Sequence, residues 1–317
     1  MNVEEIPGRL RQGVDSLQLG LADLRTQLLA RRVLLELHDG GLRGTVVGRK
    51  ARPIRPIDVQ LPTGSCRDGQ PQEIEALGDL IGDLFLDLGL AGARVSACLP
   101  PRASRWAVVR WPEGLMPEDG RSELRRRAPD LGLPWPLDAV YLELEPLPGT
   151  PARSLLVAAP RRLVDGWVEV FELAGVQLLR LLPAQACDWK LLVGHGPQPA
   201  PAGELWLLEM EPGRSRLWLV VDGCPQADWP LPGNRISDDL DPQLLDELER
   251  CRRFWRQHSG AEAPQHWVVY GDGQLVAAAG PGLRQLLPAG ALQRWPPAAM
   301  DANLGLRLSG LKLCVGW

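Results

Sequence analysis

The sequence predicts a mixed α/β protein of two lobes laid out on one plan: three strands, a helix and a returning strand in each. Two strand meanders carry this reading, Val33 to Leu61 and Glu204 to Leu231, each followed by an amphipathic helix and a short buried strand. The proline-rich linker GHGPQPAPAG, Gly194 to Gly203, separates the halves as an extended connection. At 317 residues the chain is also long for one hydrophobic core and suits two.

Along the chain, Val14 to Arg32 sets Leu17, Leu19, Leu21, Leu24, Leu28 and Leu29 among charges and reads as an amphipathic helix, packed on the domain or docking to a partner. Val33 to Leu37, Leu42 to Gly48 and Ile54 to Leu61 are three strands, the first two joined across Asp39-Gly40-Gly41, a hairpin signal. Thr63 to Gln72 is a polar turn, Ile74 to Leu90 a helix ended by Gly92, and Val95 to Leu99 a buried returning strand.

Past a double-proline corner, Val140 to Leu144 alternates apolar and polar residues, whereas Ser154 to Ala159 is a continuous apolar run and so a buried strand. Pro160 stands near the start of a helix carrying Leu163, Val164, Trp167, Val168, Val170, Phe171 and Ala174 at helical spacing, and Gly175 caps its end. Val176 to Leu182 begins the next strand, and a crossover of this length usually makes a parallel pair.

The second half repeats the plan with Glu204 to Leu208, Arg216 to Val221 and Gln226 to Leu231, turning at Asp222-Gly223. Asp238 to Gln257 is a long helix with an acidic first turn, and Trp267 to Tyr270 its returning strand. Leu275 to Leu287 and Pro297 to Leu308 read as terminal helices.

The composition narrows the function. A net charge of -4 argues against a nucleic-acid surface, which needs clustered Lys and Arg; the one dense basic run, Arg125 to Arg127, is short and suits a solvated helix face. The six cysteines form no CxxC pair, so they read as buried thiols of a reducing compartment rather than a zinc or redox motif. No apolar run is long enough to span a membrane and the first residues lack a signal core, which places the chain in the cytoplasm. His38, His195, His258 and His266 have no metal-ligand spacing, and no GxSxG, P-loop or GxGxxG fingerprint occurs. Twelve tryptophans against three phenylalanines and two tyrosines have no evident function in the sequence.

The strings PLDAVYLELEPL and SLLVAAPRRLVDGWVEVFELAGVQLLRLLPAQAC resemble the PilM family, the actin-like cytoplasmic proteins of type IV pilus assembly, in which a corner like PFPLDEVYLDY precedes LLVAARREVVEDYVELLERAGL. The match is dense between Pro134 and Ala186 and continues from Val33 to Leu313 as a shared order of elements. The resemblance implies the duplicated actin-like, ribonuclease-H-like fold of sugar kinases and heat-shock ATPases, with the extra subdomain of the division protein FtsA. Its parts would be an N-terminal extension to residue 32, a first core subdomain over 33–104, the extra subdomain over 105–160, completion of the first lobe over 161–196 and a second lobe over 204–317.

Actin-like ATPases cradle ATP with two Gly-rich hairpins and hold magnesium with acidic residues. The PilM pattern of the first hairpin resembles GIDIGSSSVK, and here it reads LLELHDGGLRG. Glu36 keeps the acidic position and Gly40 and Gly41 the turn, but Asp39 at the tip would repel a phosphate. The second hairpin reads LEMEPGRSR, with Glu209 at the acidic position, Gly213 at the turn and Pro212 removing a backbone donor. The adenosine-side motif is reduced to GDGQ, with Gly271 and Gly273. These degenerate motifs predict no catalytic residue, no metal and no cofactor, with ATP and magnesium as the alternative.

What the resemblance implies instead is a scaffold, peripheral to the inner membrane, whose partner is the short cytoplasmic tail of a PilN-like bitopic protein, with a pilus motor ATPase or platform protein as further candidates. In the family that tail lies in a groove between the first core subdomain and the extra subdomain, so Pro134, Trp135, Pro136, Leu137 and Tyr141, with Leu155 and Val157 of the following strand, are candidates to line it. The alternatives are an active actin-like ATPase gating pilus assembly, and the actin-like component of a type II secretion platform. The latter is expected to carry a membrane span after this region, so the end at Trp317 favours the pilus protein.

Overall fold

The computed structural model describes residues 31–48, 53–111, 119–126, 133–147, 152–195, 203–211, 213–233, 241–259, 265–287, 292–294 and 306–315. Two compact units emerge, one taking in the chain up to Ala103, Arg162–Ala184 and the chain from Leu311, the other Ser104–Arg161 and Gln185–Gly310. The stretch predicted as an N-terminal helix lies outside the described residues except for its end, where Arg32 already belongs to a strand.

In the first unit β1 (Arg32–His38), β2 (Gly41–Val47) and β3 (Pro53–Gln60) form an antiparallel meander, and β6 (Arg94–Leu99) returns parallel to β1. With β10 (Gln177–Pro183) the sheet order is β10-β6-β1-β2-β3. Val33, Leu34, Leu35 and Leu37 are buried, as a central strand covered on both faces requires. Pro53 and Pro56 are tolerated because β3 is an edge strand.

Helix α1 (Ile74–Asp87) sends Leu77, Ile81 and Phe85 into the core above Val33, Leu35 and Leu37, beside Leu163, Trp167, Val170 and Phe171 of α3 (Arg161–Leu173). The two helices approach closely because α1 offers glycines at i and i+4. A Cβ on Gly78 would lie 2.6 Å from the Cβ of Leu173, and one on Gly82 3.4 Å from Ala174. Gly175 ends α3 at φ +66, the left-handed conformation expected of it.

Two sequence expectations are corrected in this unit. Thr63 to Gln72 is not only a turn: β4 (Cys66–Arg67) pairs with β5 (Gln70–Pro71) across Asp68 and Gly69, both at positive φ, a Asp-Gly hairpin signal hidden by strands too short for periodicity. The strand preceding α3, β9 (Arg153–Pro160), makes no parallel pair with β10. Both its edges are taken, by β7 (Arg105–Arg110) and β8 (Val140–Leu147), in a separate antiparallel sheet ordered β7-β9-β8, so β10 pairs with the open edge of β6. Pro160 accordingly closes β9 instead of opening the helix.

The second unit holds that three-stranded sheet and a second five-stranded one. Short helix α2 (Gly120–Arg126) puts Leu124 on the sheet face that carries Val109 and Leu156. Elements β11 (Glu204–Glu211), β12 (Arg214–Val221), β13 (Cys224–Pro232), α5 (Pro242–Ser259), β14 (Gln265–Gly271), α6 (Gly273–Leu286) and β15 (Leu292–Arg294) follow. The order β13-β12-β11-β14-β15, with β14 and β15 both parallel, repeats the first sheet strand for strand. Ser104 to Pro160 thus stands between the fourth strand and the last helix of the first copy. Asp222 and Gly223 make the predicted tight turn, both at positive φ. Helix α4 (Ala184–His195) follows β10; the terminal helix expected over Pro297 to Leu308 lies outside the described residues up to 305, and α7 (Leu306–Cys314) takes in its last residues.

The tryptophans have a structural use that the sequence left open. Trp206, stacked on Trp267 at 5.1 Å, donates to Glu204 Oε2 at 3.0 Å, and Trp255 donates to Glu204 Oε1 at 2.6 Å. Trp111 donates to Ser154 Oγ at 2.9 Å and Trp167 to the Gly69 carbonyl at 2.7 Å. Each fills core volume that phenylalanine also fills, and adds a donor that satisfies a buried acceptor. The α1–α3 crossing gives a direct test: Gly78→Ala should lower unfolding free energy by about 1–3 kcal/mol through overpacking. Gly82→Ala should be neutral or stabilising by up to ~1 kcal/mol through helix propensity. Urea melts of both variants measure the contrast.

Candidate functional site

In the first hairpin, β1 ends at His38 and β2 begins at Gly41, register partners that leave Asp39 and Gly40 as the turn. Glu36 is half-buried opposite Arg43, with His38 Nε2 3.5 Å from its Oε1. Gly41 permits a close approach, since a Cβ there would meet the Val59 carbonyl at 2.7 Å. Asp39 does not stand free at the tip. Its carboxylate accepts from the Gly69 amide at 2.6 Å and the Asp68 amide at 3.1 Å, and lies 3.7 Å from Cys66 Sγ. Burial, then the Asp39 charge, push the Cys66 thiol up to about 12.

That contact inverts the expected chemistry. Two consecutive amides in left-handed conformation form an anion-binding concavity, and the chain fills it with its own carboxylate. Trp167 fixes the same turn from below through the Gly69 carbonyl.

The second hairpin is likewise engaged. Glu209 is buried and faces Arg216 across β11 and β12, with Tyr270 opposite on β14. Arg216 is buried too, and its guanidinium makes a two-point ion pair with Asp228, with Nε 2.5 Å from Oδ1. Burial alone would lower the Arg216 pKa; the Asp228 and Glu209 carboxylates more than offset it and hold the group above its ordinary value. The guanidinium also lies over the Trp218 ring, 4.7 Å from its centroid. Gly213 turns at φ +75. Where a magnesium-positioning carboxylate is expected, this chain has a carboxylate facing a resident cation.

The GDGQ turn keeps its glycines for reasons of packing and capping. Gly271 sits at φ +114 with the Met210 carbonyl 2.2 Å from where its Cβ would be, so no side chain fits. Asp272 caps α6, accepting from Gln274 and Leu275 amides at 2.9 and 3.0 Å, which occupies the amides a helix N-terminus offers to an anion. Gly273 opens the helix, exposed, with nothing within 4 Å of a Cβ. In each of these turns a charged side chain is engaged by the chain itself: Asp39 by the Asp68 and Gly69 amides, Arg216 by Asp228, and Asp272 by the first amides of α6.

The partner-groove candidates divide. Pro134 and Pro136 are exposed, Trp135 and Leu137 half-buried, and Leu137 opens a 3₁₀ turn that delivers Tyr141 to β8. Tyr141 is 42% exposed and shares a sheet face with Val157 and Leu155, the register pairs being Tyr141 with Ala159, Glu143 with Val157 and Glu145 with Leu155. Leu155 is 7% exposed and packs with Cys224 and Leu147, and half-buried Val157 leans on that cluster. The corner is braced by Arg161, which sequence reasoning did not select: its Nε donates to the Asp138 carbonyl at 3.0 Å and its guanidinium covers the Tyr141 ring at 4.4 Å.

Arg216 and Asp228 were also missed. The signal was available, because a turn at Pro212-Gly213 sets Glu209 opposite Arg216 by counting outward from the turn. Asp68 and Gly69 gave only the two-residue hairpin signal.

The duplicated sheet order with its insertion defines an actin-like fold. Among solved structures, the PilM-PilN type IV pilus biogenesis complex matches with a TM-score of 0.68 at 18% identity, covering 90% of this chain and 97% of that one. A Bacteroides thetaiotaomicron protein with an actin-like ATPase fold and unknown function matches at 0.54 and 8% identity, over 90% and 96%. The cytoplasmic domain of EpsL, an inner-membrane component of the Vibrio cholerae type II secretion system, is also similar, at 0.48 and 13% identity, over 90% and 95%. No family model and no curated protein matches the sequence. No helix among the described residues is long and apolar enough to cross a membrane.

Two outcomes check the engaged hairpins. Arg216→Met should destabilise by about 3–5 kcal/mol, because it leaves buried Glu209 and half-buried Asp228 without their cation; Arg216→Met with Asp228→Leu should recover part of that loss in the same denaturant melt. Cys66 should resist alkylation at neutral pH in the folded protein, since its raised pKa leaves almost no thiolate, and react once urea unfolds it.

Proposed function

We propose that this chain is a non-catalytic scaffold of a type IV pilus inner-membrane assembly platform, binding the cytoplasmic tail of a PilN-like protein. The observation that carries this reading is the agreement in fold, over nine-tenths of the chain, with the solved PilM-PilN complex. The absence of catalysis is supported by the turns themselves: Asp39 takes up the amides of Asp68 and Gly69, Arg216 faces Glu209, and Asp272 caps α6. A phosphate at the first hairpin would have to displace the Asp39 carboxylate from its amides, and one at the second would meet the Glu209 carboxylate.

The corner from Pro134 to Tyr141 is the seat assigned to the tail. Prolines fix an extended backbone that loses little entropy on binding, and Trp135, Leu137 and Tyr141 present apolar surface beside it. Leu155 lies beneath, packed with Cys224, and supports the strand without reaching the surface.

A fluorescent peptide of a PilN-like tail should bind the parent protein and lose at least about tenfold in affinity to Trp135→Asp, the equivalent of ~1.4 kcal/mol. Arg161→Ala should weaken it less, by loosening the corner. Equal affinity for Trp135→Asp and the parent would overturn the placement. Millimolar magnesium and ATP should leave the melting temperature unchanged, and a saturable rise would overturn the non-catalytic reading.

A further inference from the structure

Strands β1, β6 and β10 run parallel and begin together, β2 ends beside them with Val47 opposite Arg32, and β3 starts there. At this one end of the sheet stand Arg31 and Arg32, Arg94 as the register partner of Arg32, Arg180 opposite Ser96, and Arg55 in β3. Arg31, Arg32, Arg55 and Arg180 are exposed and Arg94 half-buried. The carboxylates of these strands, Glu36 and Asp58, lie toward the other end, while Asp87 at the end of α1 and Glu172 at the end of α3 precede β6 and β10 at this one. In a protein of net charge -4, this is a local inversion of sign.

Exposed aliphatic residues share the same end. Ile54 is 59% exposed beside Arg55, Leu179 is 44% exposed at the bulge beside Arg180, and Leu86 is 63% exposed in the last turn of α1, just before the loop that leads into β6. Ile54 and Leu179 stand on the two edge strands and Leu86 on α1, so aliphatic surface borders the arginines from both sides of this end.

We propose that this end of the first sheet rests on an anionic phospholipid surface. The guanidiniums stand on four of the sheet's five strands, from one edge to the other, roughly 19 Å at the usual strand spacing, which suits a plane of headgroups better than a convergent point ligand. The interspersed residues are aliphatic, as at the headgroup and acyl boundary, and among the described residues at this end no exposed aromatic offers a stacking face for bases. A second copy would bring arginine against arginine, which excludes self-pairing through this end. The surface shares no residue with the Pro134 to Tyr141 corner and does not require the pilus reading to hold.

The test is co-sedimentation of the whole chain with vesicles of phosphatidylcholine alone and of phosphatidylcholine mixed with phosphatidylglycerol. Binding is expected to the mixed vesicles only, and to fall steeply with added salt. Arg55→Ser with Arg180→Ser should reduce partitioning about fivefold per arginine, and Ile54→Ser with Leu179→Ser should reduce it independently of salt. Melting temperatures and tail-peptide affinity of these surface variants should match the parent. Equal binding to neutral vesicles, or partitioning unmoved by the arginine substitutions, would overturn the proposal. Binding of an oligoglutamate peptide without vesicle binding would overturn it in favour of an acidic protein partner. Loss of tail-peptide binding with vesicle binding intact would sink the pilus reading alone.

Discussion

Each lobe depends on the pairing of its first strand with the strand that returns beside it, β1 with β6 and β11 with β14. These strands are buried on both faces, so their peptide groups have no water to fall back on and must be satisfied by neighbours. Pairing Leu34 with Ser96 and Leu207 with Val268 sets the register, and the register decides everything that faces outward from the hairpins. Glu36 and Glu209 reach equivalent places because both strands obey the same constraint.

The two hairpins then diverge in how they satisfy charge while arriving at the same end. In the first, a carboxylate at the tip reaches across to the amides of a miniature hairpin, which Trp167 clamps from the core side. In the second, a buried guanidinium between Asp228 and Glu209 is itself held over a tryptophan ring. Both arrangements convert charges of a binding fold into fixed internal contacts.

Fold and hairpin geometry therefore direct attention away from the turns and toward surfaces. The inserted sheet has one face packed by Leu124 and another on which Trp106, tilted against Trp218 at 5.7 Å, and Leu155 meet β12 and β13. What remains open is the braced corner before β8. The basic end of the first sheet is a second open surface, of a different chemistry.

Much of this was legible in the sequence. Strong periodicity in Ile74 to Asp87 and Arg161 to Leu173, the apolar runs of β1 and β9, and the Asp-Gly turn of β12 and β13 determined their own local structure, because burial pattern and turn stereochemistry act over a few residues. That Asp39 and Pro212 interrupt the glycine-rich pattern of the two hairpins was readable too. Tertiary structure alone decided the rest. That β9 joins β7 and β8 while β10 joins β6 depends on which strand edges are free, and that Asp39 meets Gly69 or Arg216 meets Asp228 depends on contacts between segments that no local pattern specifies. Strand pairing and charge pairing are choices among distant partners, and only the assembled sheet removes the alternatives.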